Sequence, residues 1–93
     1  MSDKYAPPEH LSRGAAAVWR EVTSRHGEPE QIIGPEFEAY CVTVSRARDA
    51  AKRIDDEGAV VNDERGNAVE HPAFAIERKA QAQIKAWGDR FSA

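Results

Sequence analysis

Residues that could bind a metal ion or act as nucleophiles are few in this sequence, and their spacing does not bring them together. The three histidines, His10, His26 and His71, lie far apart and show neither paired cysteines nor a His-x-x-x-His spacing. Zinc sites need closely spaced ligands, so we expect no bound metal ion. Cys41 is the single cysteine and falls on the apolar side of a predicted helix. Burial there would raise its pKa and make the thiol unreactive.

Other arrangements typical of enzymes are also missing from the sequence. Asp55-Asp56-Glu57 is an acidic run, but successive helical positions point about 100° apart, so the three carboxylates cannot converge on one metal ion or substrate. No Gly-x-x-x-x-Gly-Lys-Ser/Thr phosphate loop is present, which argues against ATP hydrolysis. The sequence therefore predicts a protein that is not an enzyme and that uses no cofactor.

Basic side chains are the remaining candidates for binding chemistry. Arg13 and Arg20 are seven residues apart in the first predicted helix, on the side opposite Trp19. A row of this kind can contact DNA phosphates, and each contact adds a salt-sensitive contribution to the affinity. The alternative is an ordinary solvated polar face.

The third predicted helix has a cluster of alanines between two basic edges. The alanines are Ala75, Ala82 and Ala86, and the basic residues beside them are Arg78, Lys79, Lys85 and Arg90. Alanine lets two helix backbones approach closely, so one interpretation is a contact between subunits. The other interpretation is an exposed helix in which the alanines only favour the helical conformation.

Arg48 projects from the apolar side of the second predicted helix, near Val44 and Ala51. A buried guanidinium without a partner would be costly. We therefore expect Arg48 either to turn outward or to pair, with Asp55 or with a carboxylate of another helix or subunit.

Apolar spacing and end signals predict two helices in the first part of the chain. Residues 1–10 are polar and are expected to form a flexible arm. Ser12 is a favourable N-cap for the first helix, which Gly27 ends. The second helix should run from Pro35 to about Glu57, with Gly58 as the residue that stops it.

A short hairpin and a third helix should follow. Residues 59–61 and 68–70 flank a turn that contains Gly66, which predicts a hairpin over about 59–70. His71-Pro72 begins the last helix, whose apolar stripe is Ala73, Ile76, Ala80, Ile84, Trp87 and Phe91. The expected fold is mainly α: three helices, one of them long, with a hairpin between the second and third, in a single domain over 11–93.

The composition predicts a thin hydrophobic core. Of 93 residues 41% are hydrophobic, but 16 are alanine and one is leucine, and Leu, Ile, Val and Phe together number 16. The net charge of −3 is too small to indicate disorder. A chain with so little large apolar surface barely offsets the entropy of ordering, so partner subunits are the expected additional stabiliser. No apolar run approaches the roughly 18 residues that a membrane-spanning helix needs.

The order of these elements, with five short motifs, resembles the small terminase subunit of tailed phages, in its short helical branch. The resemblance covers residues 11–87. The motifs are Leu11-Ser12 with Ala15, Trp19 and Arg20, then Tyr40-Cys41, Arg46-Ala47-Arg48, Gly58-Ala59-Val60-Val61 and His71-Pro72-Ala73. That family commonly continues with a Gly-Leu-Thr-Pro-Ser-Ser-Arg-like tail, whereas residues 88–93 here read Gly-Asp-Arg-Phe-Ser-Ala.

The resemblance implies a non-enzymatic DNA-packaging factor that assembles into a homo-oligomeric ring. Such proteins recognise double-stranded viral DNA and regulate the large terminase subunit, which holds the ATPase and nuclease. The expected setting is the reducing cytoplasm of the bacterial host, with no membrane partner.

Two sets of site residues follow from these expectations. The candidates for DNA contact are Arg13, Arg20, Arg78, Lys79 and Lys85. The candidates for the oligomer interface are Tyr40, Val44, Arg48, Val60, Val61, Ala82 and Ala86. Two alternatives stay open: a small helix-turn-helix-like regulator, although the 28–33 connector is longer than the usual turn, and a helical adaptor that does not bind DNA.

Overall fold

The computed structural model describes residues 4–91 and has the predicted order of elements. In chain order these are α1 (Arg13–Arg25), a 3-10 helix (Pro29–Gln31), α2 (Pro35–Glu57), β1 (Val60–Asn62), β2 (Ala68–Glu70) and α3 (Ala73–Trp87). The expectation of three helices with a hairpin between the second and third is confirmed. Ring formation stays a prediction.

Local capping fixes most of the helix ends. The Ser12 hydroxyl accepts a hydrogen bond from the Ala15 N–H at the start of α1, as expected of an N-cap. Pro35 opens α2, and Gly58, with φ of +92°, closes it. Positive φ is strained for other residues, so glycine there makes a sharp stop.

The end of α3 differs from the sequence prediction. The helix stops at Trp87 because Gly88, with φ of +58°, breaks the backbone geometry. Phe91 therefore does not lie on the helical stripe. It reaches the core from a turn beyond the helix, and its side chain is buried there.

The core is an aromatic cluster around Phe37, near the first turns of α2. Phe37 is completely buried, and its ring centroid lies 4.8 Å from that of Trp19 and 5.5 Å from that of Phe91. Tyr40 packs against Phe91 at 4.9 Å and edge-on against Trp87 at 5.6 Å. These aromatic side chains form the core, and the cluster joins α1, α2 and the end of α3.

Helix α2 is the central element, since both α1 and α3 pack along it. The α1 contact is close at Gly14, where a side chain would overlap the Ser45 hydroxyl. The α3 contact depends on small side chains, because Ala47 and Ala50 of α2 and Ala73 and Ala80 of α3 are all buried. A buried alanine removes little apolar area from water, so these contacts between α2 and α3 contribute little to stability.

The segment before α1 contacts the folded helices. The Trp19 indole N–H donates a hydrogen bond to the Tyr5 carbonyl over 2.6 Å, and the Tyr5 hydroxyl donates to the Glu30 carboxylate over 2.9 Å. A backbone hydrogen bond, together with that hydroxyl, holds the pKa of Glu30 below its usual value. The flexibility of residues 1–10 stays a prediction.

The hairpin has a regular register and a tight turn. Val61 pairs with Val69, flanked by Val60 with Glu70 and by Asn62 with Ala68, so β1 lies one residue later than predicted. In the turn, the Asp63 carboxylate accepts from the Arg65 and Asn67 N–H groups. Gly66 adopts a φ of +81°, which this type of turn requires.

Two polar contacts hold the base of the hairpin. His71 is 2% exposed, and its Nδ1 accepts from the Ala73 N–H, so its protonated Nε2 donates to Glu57 over 3.0 Å. Glu70 pairs with Arg78 of α3, with a shortest distance of 2.6 Å. Beyond this base, the two strands pair with one another and pack little against the helices.

The molecule is elongated. Its radius of gyration is 16.0 Å, against about 12 Å for a compact chain of this length, and its extents are 53 × 27 × 19 Å. The aromatic cluster lies at the first turns of α2 and the hairpin follows its last turn, about 30 Å away along the helix axis. Most of the large apolar packing is thus concentrated at one end.

Phe91→Ala should destabilise the fold strongly although residue 91 lies outside every helix. The loss of a buried aromatic ring should lower the free energy of unfolding by about 3 kcal/mol, measured by urea denaturation. The neighbouring Arg90→Ala removes an exposed ion pair with Glu36 and a cation–π contact with the Phe91 ring, so its effect should be about 1 kcal/mol. Equal effects of the two substitutions would contradict the role of Phe91 in the core.

Cys41 should resist thiol reagents in the native protein. Burial, with a smaller contribution from the Glu38 carboxylate, raises its pKa from 9.0 to about 12. Iodoacetamide at pH 8 should therefore label Cys41 in urea and leave it unlabelled without urea. The pKa of the Cys41 thiol is higher in the folded chain than in the unfolded chain. The neutral thiol therefore stabilises the fold below pH 9, and this contribution is lost as the pH rises towards 12. Rapid labelling without urea would contradict the burial.

Candidate nucleic-acid interface

Ion pairing divides the basic side chains into two groups. Five of them pair with carboxylates: Arg48 with Glu21, Lys52 with Asp56, Arg53 with Glu57, Arg78 with Glu70 and Arg90 with Glu36. Within residues 4–91, the following have no carboxylate partner: Lys4, Arg13, Arg20, Arg25, Arg46, Arg65, Lys79 and Lys85. A phosphate can contact the second group without displacing a carboxylate.

The outer face of α1 brings Arg13 and Arg20 together, as the seven-residue spacing predicts. Both are exposed and border one shallow groove, whose other wall is Pro7-Pro8 in the segment before the helix. Their helix positions follow from the burial of Trp19 and Val22 on the opposite side. Glu9 also lines this groove, so the local charge is reduced but remains positive.

A second basic site is a groove between α2 and α3, which we call the α2/α3 groove. Its lining residues are Thr43, Arg46, Ile76, Lys79, Ala80 and Gln83. Lys79 was singled out from the sequence, whereas Arg46 was noticed only as part of the Arg46-Ala47-Arg48 motif. Residues two positions apart in a helix project about 200° apart around its axis, so Arg46 and Arg48 point to different sides of α2. This angle is the sequence feature that predicts a setting for Arg46 different from that of Arg48.

Arg78 has a different setting from the other candidates for DNA contact. Its guanidinium binds both oxygens of Glu70, at 2.6 and 3.4 Å. The contact holds the pKa of the Glu70 carboxyl below its usual value and raises that of Arg78. A DNA phosphate would have to displace Glu70, and the base of the hairpin would lose one of its contacts. Lys85 is exposed and lies two turns further along α3.

The residues predicted for an oligomer interface are spread over three environments. Tyr40 and Val44 are half-buried against the core of their own chain. Arg48 is exposed and pairs with Glu21 of α1 at 2.9 Å, so a carboxylate of another helix is the partner and Asp55 is not. The others lie at the surface or partly so: Val60, Val61, Ala82 and Ala86.

The described part of the chain shows no other reactive centre. Among residues 4–91 there is no group of three or more His, Cys, Asp or Glu side chains placed to hold a metal ion. None of the helices formed by these residues is long and apolar enough to cross a membrane.

Comparison with known proteins assigns the chain to a family. A family model described as phage terminase, small subunit, matches residues 15–92. Neither the search of curated proteins nor the search of solved structures found a match. The family match covers most of the chain and agrees with the resemblance seen in its motifs. The chain therefore belongs to the phage terminase small subunit family.

Proposed function

We propose that this protein is a non-enzymatic subunit of a viral DNA-packaging machine that acts in the host cytoplasm. As a cyclic homo-oligomer it binds double-stranded viral DNA and regulates the large terminase subunit. Family membership supports the identity of the pathway and of the large subunit as a partner. The observation that carries the DNA-binding part is the exposed Arg13 and Arg20 pair, which has no carboxylate partner within residues 4–91.

A single subunit would bind DNA weakly through these two arginines. Each phosphate contact adds a modest, salt-dependent increment, and the chain as a whole carries a net charge of −3. Repetition of the same pair around a closed ring multiplies the contacts without any new chemistry. An acidic subunit with a small basic face thus fits a DNA-binding ring better than a DNA-binding monomer.

The shape and packing support assembly. Among residues 4–91, the large buried side chains cluster around Phe37, whereas Val60 and Val69 of the hairpin and Ile76 of α3 are exposed. Val60 and Val69 face opposite sides of the hairpin, so each of its faces has an exposed valine available for a protein contact. Assembly would cover them.

The helix-turn-helix regulator is the weaker alternative. Such motifs join their two helices by a turn of about three or four residues. Here α1 ends at Arg25 and α2 begins at Pro35, and the connector between them contains its own 3-10 helix. The other alternative, a helical adaptor that does not bind DNA, is tested by the DNA titration below.

Replacement of Arg13 and Arg20 by alanine should weaken DNA binding. In a titration of duplex DNA at several salt concentrations, the double variant should lower the affinity and reduce the slope of log K against log salt by about one per lost phosphate contact. The matched control is Lys52→Ala with Arg90→Ala, which removes the same charge from two cations that are already paired with carboxylates.

The control variant should bind DNA nearly as well as the unchanged protein. Equal losses in the two double variants would show that net charge alone governs binding. If the unchanged protein shows no salt-dependent binding of DNA, the adaptor that does not bind DNA becomes the favoured function.

A further inference from the structure

The hairpin is the least supported element of the chain. A two-stranded sheet is at best marginally stable by itself, and here each strand has only the other as a neighbour. Val60 is 63% exposed and Val69 37% exposed. Val60 and Val69 belong to neighbouring cross-strand pairs, so their side chains point to opposite faces of the hairpin. A second surface placed against one face would remove the apolar area of Val60 from water.

The hairpin makes few contacts with the helices of its own chain, and two polar contacts hold its base. His71 joins its base to Glu57 at the end of α2, and Glu70 joins it to Arg78 of α3. Beyond this base the two strands make few contacts with the helices. The two contacts thus present the hairpin outward.

The α2/α3 groove has the complementary properties. Ile76, at 44% exposure, is a large apolar side chain that lines the groove. Arg46 and Lys79 line the same groove and have no carboxylate partner within residues 4–91. An apolar strip beside two cations suits an apolar segment that carries acidic residues.

The hairpin is such a segment. Residues 58–70 include three acidic residues and one basic residue. Glu70 is paired with Arg78, and the turn, with Asp63 and Glu64 beside Arg65, keeps a net charge of −1. This charge disfavours DNA as the partner of the hairpin and favours a basic protein surface. The groove of an identical chain supplies that surface together with an apolar contact for Val60.

We propose that the hairpin of one subunit docks into the α2/α3 groove of the next, with Val60 against Ile76 and the acidic turn facing Arg46 and Lys79. This rests on the proposed ring and names the surfaces that form it. A contact between two different surfaces of identical chains is heterologous, and repeated copies close into a ring when the rotation fits. Lys79 then serves the subunit contact and not DNA.

The test uses cysteine variants, because Cys41 is buried and does not compete. Val60→Cys and Ile76→Cys are purified separately, mixed at a concentration where the unchanged protein is multimeric by light scattering, and oxidised. A disulfide forms only where Cα atoms approach to about 7 Å or less. We expect a disulfide-linked dimer of one chain of each kind. A mixture of Val60→Cys with Ser24→Cys, which lies on the exposed face of α1, is the control and should give no such dimer.

The outcomes separate the docking from ring formation. Dimers that form only between two Val60→Cys chains would overturn the docking in favour of contact between hairpins. Multimers without cross-links would overturn the docking and leave the ring in place. An unchanged protein that is monomeric at every concentration would overturn both.

Charge exchange gives an independent readout. Lys79→Glu should raise the concentration at which half of the chains are assembled by at least about tenfold, and adding Glu64→Lys should restore much of the loss. Helix content measured by circular dichroism should be the same in all three proteins, which shows that the subunits remain folded. Failure of Glu64→Lys to restore assembly would contradict the contact.

Discussion

The packing of aromatic rings around Phe37 is the interaction on which the rest of the structure depends. Trp19 from α1 and Phe91 from beyond α3 both contact this one ring, so a single cluster closes the three helices on one another. A buried aromatic or large aliphatic side chain contributes about 1.5–3 kcal/mol, and this chain has few of them. Away from this cluster, the buried apolar side chains of α2 and α3 are alanines such as Ala47 and Ala80, which contribute far less.

This uneven packing connects the fold to assembly. The hairpin end is held by the buried His71 and by the exposed pair of Glu70 with Arg78, and an exposed ion pair is worth about 1 kcal/mol or less. Polar contacts orient the hairpin end of the molecule, but little apolar packing covers it. This end is therefore well suited to bind a second copy of the chain. The arginines on the outer face of α1 lie on a separate element, so DNA contact and subunit contact need not compete.

Sequence reasoning predicted what local chemistry determines. Ser12, Pro35 and Gly58 set helix ends through their own backbone and capping preferences, and the turn around Gly66 follows from its tolerance of positive φ. The end of α3 was missed because the spacing from Trp87 to Phe91 imitates another helical turn across Gly88. Contacts between distant elements were beyond the sequence, since they depend on how the elements are placed.

Hydrogen exchange measured at a series of protein concentrations tests the central claim most directly. Amides of the hairpin, such as that of Asp63, which donates to the Asn67 carbonyl, should exchange rapidly in dilute protein and become protected as subunits assemble. Amides in the first half of α2 should be protected throughout, because the aromatic cluster is formed within each chain. Equal protection of the hairpin at all concentrations would contradict the account, since it would show that one chain stabilises both ends by itself.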